Sequence, residues 1–152
     1  MSLNFDQMIA SAPSFDSIAN TYDSLNGDFA AAASDEQRTG VVERWDVMCR
    51  GLATWEALVH VQFAQNTENP AYKTAKDVLD EMQPRLEDLS VEFKKRLLAS
   101  PHLPAVKTRF GDHLINLWRS DIASFDPAIE ADLVAEAKRS GDYTALMASA
   151  RI

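Results

Sequence analysis

The side chains best suited to metal or nucleophilic chemistry in this chain are three histidines, His60, His102 and His113, and one cysteine, Cys49. A helical zinc hydrolase site needs two histidines one turn apart with a glutamate after the first, His-Glu-x-x-His, so that both imidazoles meet one ion. The histidines here are too far apart in sequence for that pattern. A di-iron bundle needs inward-facing Glu-x-x-His pairs. Glu56 precedes His60 by one residue too many, and no second copy exists. His60 sits between Val59 and Val61 at the flank of an apolar stripe, where a hydrogen-bonded packing role suits it better than a catalytic one. Glu56 lies one turn away on the same face and can pair with it.

Nucleophilic chemistry fares no better. Cys49 reads as a small buried hydrophobe on a helix, and as the single cysteine it can form no intramolecular disulfide. The chain has neither a Gly-x-Ser-x-Gly elbow nor a glycine-rich phosphate loop. Glu81, Glu87, Asp88 and Glu92 spread around a helix surface instead of converging. Trp45, Trp55 and Trp118 stand at core spacings. The residues alone therefore nominate no catalytic or metal-binding position.

Net charge is −8, from 15 basic and 23 acidic residues. The longest basic cluster, Lys94-Lys95-Arg96, reads as solvated helix surface, and nucleic-acid binding, which rests on basic patches, is not expected. No run of about 18 apolar residues is present, so no membrane span is expected, and the N-terminus lacks a signal-peptide pattern. The expected location is the cytoplasm.

The elements that would position any site are helices. Residues 1–13 read as a loose leader. The remainder, 14–152, reads as a single helical domain. Phe15, Ile18, Tyr22, Leu25 and Phe29 predict a helix over 14–33, weakened near Asn26-Gly27. Ser34 and Gln37 form a capping-box pattern. Val41, Trp45, Met48, Leu52, Trp55, Val59 and Phe63 then place seven large apolar groups on one stripe over 35–66. Gly40 and Gly51 each cost about 1 kcal/mol inside a helix. Burial at roughly 1.5–3 kcal/mol per large apolar group outweighs that. Gly51 offers a neighbouring helix a close approach.

Asn69-Pro70 is a cap followed by proline at the first helical position. Tyr72, Ala75, Leu79, Met82, Leu86, Leu89, Phe93 and Leu97 carry that helix over 70–99, with a kink expected at Pro84. Residues 101–112 read as a connector with a helical turn near 104–110. A helix starting at Asp112 or His113 follows, with Leu114, Leu117, Trp118, Ile122 and Phe125. Asp126-Pro127 opens another, ended by Gly141 as a C-cap, and a short last helix covers 143–150. Two long stripes joined by a short turn must pack antiparallel. The expected fold is all-α, an antiparallel bundle built on a long helical hairpin with shorter flanking helices.

The segment 58–70 carries more than architecture. Ala64-Gln65-Asn66-Thr67-Glu68-Asn69-Pro70 resembles a turn in the N-terminal helical region of oligoendopeptidase F, in the thimet-oligopeptidase family of zinc metallopeptidases. Residues 89–98 with Ser100-Pro101, and Phe125-Asp126-Pro127 through Tyr143-Thr144-Ala145-Leu146, are similar to later parts of that region. The resemblance spans residues 40–152. It implies a helical lobe that walls a substrate channel and restricts access to short unfolded peptides. It also implies zinc, with its activated water and a glutamate base, in the full-length enzyme. Family members carry His-Glu-x-x-His far downstream, and this chain does not, so no catalytic or metal ligand is carried onto any residue here. The substrate-binding residues stay unassigned.

The resulting expectation is that 14–152 is the N-terminal lobe of a longer protein, a catalytically inert helical part of a cytoplasmic zinc oligoendopeptidase. Its partners would be a downstream catalytic domain and, in the full-length enzyme, short peptides. Apolar surface left open in the isolated lobe would favour self-association. The alternative is a free-standing helical interaction module that grips a partner helix in a groove. A His-Glu-x-x-His in the reading frame beyond Ile152 would separate the two.

Overall fold

The computed structural model describes residues 12–126, 128 and 130–149. Five helices and no strand occur among them: α1 (Phe15–Ala31), α2 (Asp35–Gln65), α3 (Pro70–Ala99), α4 (Leu103–Ser124) and α5 (Glu130–Ser149). The fold is all-α, as the periodicity requires. The expected leader lies outside the described residues except for Ala12 and Pro13, and so does the Pro127 of the Asp126-Pro127 signal.

Helix ends follow local hydrogen-bonding chemistry. Ser14 Oγ accepts from the Ser17 amide at 3.2 Å and starts α1. Asn26-Gly27 does not interrupt α1. Ser34 Oγ accepts from the Gln37 amide at 3.2 Å. The Gln37 side chain reaches back to the Ala33 amide at 2.7 Å, so the capping box is present but displaced by one residue. The assigned helix α3 continues across the buried Pro84.

Two expectations change at glycines. Within α4, Gly111 takes φ 87° and ψ 167°, dividing the helix into 103–110 and 112–124. The expected turn near 104–110 is therefore two full turns of helix, and the expected restart at Asp112 is the second part. At Gly141 the chain does not stop. Helix α5 runs through to Ser149, correcting the expected C-cap and separate last helix. A glycine C-cap needs a left-handed residue, and Gly111 alone has a positive φ among the described residues. The side chains around Gly141, those of Lys138, Asp142 and Ala145, border one cleft, and helical continuation puts them on that side.

Contacts group the chain into two compact units. Among the described residues, one comprises 12–13, 51–85, 128 and 130–149, the other 14–50 and 86–126. The divisions fall inside α2 and α3. Beside the first, Gly51 is exposed with open space where a side chain would project, so it serves no close helix approach.

The unit built from 14–50 and 86–127 has an aromatic core. Trp45 meets Phe93 at 5.2 Å between ring centroids and Trp118 edge-on at 5.7 Å. Tyr22 meets Phe93 edge-on at 5.9 Å. These separations and angles suit the ring quadrupoles. Lys94 corrects the expectation of a purely solvated basic cluster. Its stem is mostly buried, and its ammonium pairs with Asp121 at 2.8 Å and lies 5.9 Å from the Trp45 ring centroid.

In the other unit, Trp55, Val59, Phe63, Leu79 and Met82 are buried. Gln83 of α3 donates to Glu56 of α2 at 3.1 Å. Early α2 thus faces late α3 at Trp45–Phe93, and late α2 faces mid α3 at Glu56–Gln83. That is the register of an antiparallel hairpin.

Phe93 is 1% exposed and touches two rings. Phe93→Ala is expected to destabilise the chain by about 3–5 kcal/mol in urea unfolding, as for other large buried aromatics. Leu117→Ala, on an exposed position, is expected to stay within about 0.5 kcal/mol of wild type.

Candidate functional site

The turn between α2 and α3 is built from side chains that satisfy backbone groups left open at helix ends. Asn66 Oδ1 accepts from the amides of Glu68 and Asn69, both at 3.1 Å. Asn69 Oδ1 accepts from the Ala71 amide at 2.9 Å and caps α3. The Asn69 carbonyl takes the Lys73 amide at 3.0 Å as the first helical bond. Pro70 follows where its missing N–H costs nothing. The sequence pattern at 65–70 is thus a hydrogen-bonding device.

The turn opens onto α5. A groove of about 570 Å³ is lined by Ala64, Gln65, Asn66, Thr67 and Glu68 on one side and by Ala145, Leu146, Ala148 and Ser149 on the other. Thr67 and Ala145 also border a smaller cleft of about 170 Å³ between α3 and α5. Lys76 and Asp80 line it, one turn apart on α3, 8% and 3% exposed. Lys76 Nζ donates to both Asp80 carboxylate oxygens, at 2.5 and 2.6 Å. Sequence reading missed this pair. The two residues directly follow the stripe positions Ala75 and Leu79, where charged side chains read as solvated flank. Their place beside a cleft shared with α5 is a tertiary fact.

The residues singled out from sequence do not assemble into a catalytic group. His60 is exposed, with Nε2 3.9 Å from Glu56 Oε1, so the two face each other loosely. His102 and His113 belong to the other unit. Among the described residues no group of three or more His, Cys, Asp or Glu side chains could hold a metal ion. The described residues therefore do not fit the zinc that the family resemblance implies for the full-length enzyme. Trp45, Trp55 and Trp118 are buried core residues.

Cys49 is half-buried, and burial is the main cause that raises its thiol pKa above the ordinary 9.0, which disfavours the reactive thiolate. Tyr22 accepts from Trp45 Nε1 at 3.2 Å. Burial pushes its hydroxyl from 10.0 up to about 12, with the charge of Cys49 a second cause in the same direction.

The family comparison agrees with the turn motif. Residues 5–125 match the model of the Peptidase M3 N-terminal domain, and the chain belongs to that family. A structure assigned as oligoendopeptidase F from Bacillus anthracis, strain Ames, superposes with a TM-score of 0.85 at 24% identity. The match covers 92% of this chain and 26% of that one. A structure of PZ peptidase A with an inhibitor gives 0.84 at 23%, covering 92% of this chain and 25% of that one. Identities this low speak to fold alone. The chain spans about a quarter of the length of these two structures. The search of curated proteins found no match.

Two outcomes test the local chemistry. Asn69→Ala is expected to cost about 1 kcal/mol in thermal or urea unfolding through loss of the α3 cap. Tyr22 keeps its proton in the folded chain after the unfolded chain has lost it. The stability this contributes is complete below about pH 10 and is lost as pH rises toward about 12. Tyr22→Phe is expected to remove that part of the decline, measured as urea midpoints across the same pH range.

Proposed function

We propose that this chain is the non-catalytic N-terminal lobe of a cytoplasmic zinc oligoendopeptidase, shaping access of short peptides to a catalytic portion that carries the metal. The observation that carries the reading is the match to the Peptidase M3 N-terminal domain over residues 5–125. The two solved neighbours, an oligoendopeptidase F and PZ peptidase A, support it, because this fold recurs there as about a quarter of a longer chain. A cytoplasmic location is in keeping with the single cysteine. No helix among the described residues is long and apolar enough to cross a membrane.

The surface of α5 supports the idea of a lobe that meets further protein. Tyr143, Leu146 and Met147 are 62%, 66% and 57% exposed. Large apolar side chains grouped this way usually mark a contact surface. In the isolated chain they favour self-association. In the full enzyme we assign that face to packing against the remainder of the protein, next to the groove lined by the α2–α3 turn.

The decisive experiment is an activity assay on the 152-residue chain with a quenched oligopeptide and added zinc. No turnover is expected. Cleavage that a chelator abolishes would overturn the inert-lobe reading. Sedimentation of the same chain is expected to show a concentration-dependent increase in mass, reduced by Leu146→Glu.

A further inference from the structure

We propose that the cleft between the start of α3 and the middle of α5 binds a small zwitterion, a free amino acid or a dipeptide with both termini charged. The cleft is about 170 Å³, below the roughly 300–1,000 Å³ of pockets for drug-sized ligands. That size suits one or two amino-acid residues.

Its lining carries three lysines, Lys73, Lys76 and Lys138, and three aspartates, Asp77, Asp80 and Asp142. An isolated anion entering this space meets three carboxylates, and an isolated cation meets three ammonium groups. A molecule carrying both charges, set a few ångströms apart, can pair each end with a lining group of opposite sign, whereas an ion of one sign pairs only once. Phe63, Gly141 and Ala145 supply apolar wall for a side chain or the peptide stem. Thr67, from the α2–α3 turn, adds a hydroxyl that can donate or accept.

The buried pair gives the cleft a fixed polar floor. Taking two charges out of water rarely stabilises a fold better than apolar groups of the same size. Lys76 and Asp80 are nonetheless the two buried charged residues among the described residues. Both stand at this cavity. Lys76 Nζ uses two of its three N–H groups on Asp80, which leaves one donor for a ligand carboxylate. At the rim, Lys138 lies 3.5 Å from Glu81, with both side chains at least half exposed. An exposed pair of that kind yields readily to a better partner. The site stands on the cleft alone. Only its connection to products of peptide hydrolysis, which are zwitterions of this class, rests on the peptidase reading.

Amide chemical shifts of the 152-residue chain test the assignment near neutral pH, with leucine, alanyl-leucine, N-acetyl-leucine and leucinamide as probes. Leucine or alanyl-leucine is expected to shift the Gly141 and Ala145 amides saturably. Blocking either charged end is expected to weaken binding by about tenfold or more. Lys138→Gln and Asp142→Asn, both at exposed rim positions, are expected to weaken it by about fivefold or more while leaving the remaining spectrum in place. Lys107→Gln, in the other unit, is expected to bind as wild type does.

Three results would overturn the proposal. The first is no saturable shift at these amides with either zwitterion. The second is a blocked compound binding as tightly as leucine. The third is unchanged affinity in both rim variants. An active isolated chain would sink the inert-lobe reading but leave this site standing, and absent zwitterion binding would do the reverse.

Discussion

Long helices leave backbone donors and acceptors unpaired at each end, and the α2–α3 turn is where this chain meets that constraint most fully. Helices of 31 and 30 residues must reverse direction within four residues. Asn66 accepts two amides and Asn69 accepts a third, while Pro70 presents none. Once the reversal is fixed, the two apolar stripes face each other and the hairpin register follows. The groove and the smaller cleft share Thr67 of this turn in their linings, so the same few hydrogen bonds help to shape both.

The two units solve the burial problem with different chemistry. In 14–50 with 86–127, aromatic rings interlock around Phe93, and the polar tips of Tyr22 and Trp45 bond to each other. That arrangement removes an indole N–H and a phenol from water without leaving either unpaired. In the unit that contains 51–85, the interior is aliphatic and aromatic along α2, but the α3 side carries a buried lysine and aspartate. The first unit has the character of a packed core, whereas the second holds a buried charged pair in the lining of a cleft.

This division bears on function. Among the described residues no group of three or more His, Cys, Asp or Glu side chains could hold a metal ion. What the chain does offer is shape and charge beside an exposed apolar helix. The chain belongs to the Peptidase M3 N-terminal domain family.

The sequence by itself determined that the chain is helical and where its two long helices run, because a period of 3.6 residues in large apolar side chains has no other stable use at this length. It determined the α2–α3 turn through Asn66, Asn69 and Pro70, whose side-chain chemistry acts over two or three residues. Through that turn it also pointed to the family. It misjudged Gly141, since a glycine inside a helix and a glycine ending one look alike until the neighbouring helices are in place. It missed Lys76 and Asp80 for the same reason. Their spacing matches any solvated ion pair on a helix, and only the approach of α5 to α3 makes them the wall of a cleft. Local hydrogen bonds and periodicity are written along the chain. Burial of charge is a property of which helices meet, and that was decided in three dimensions.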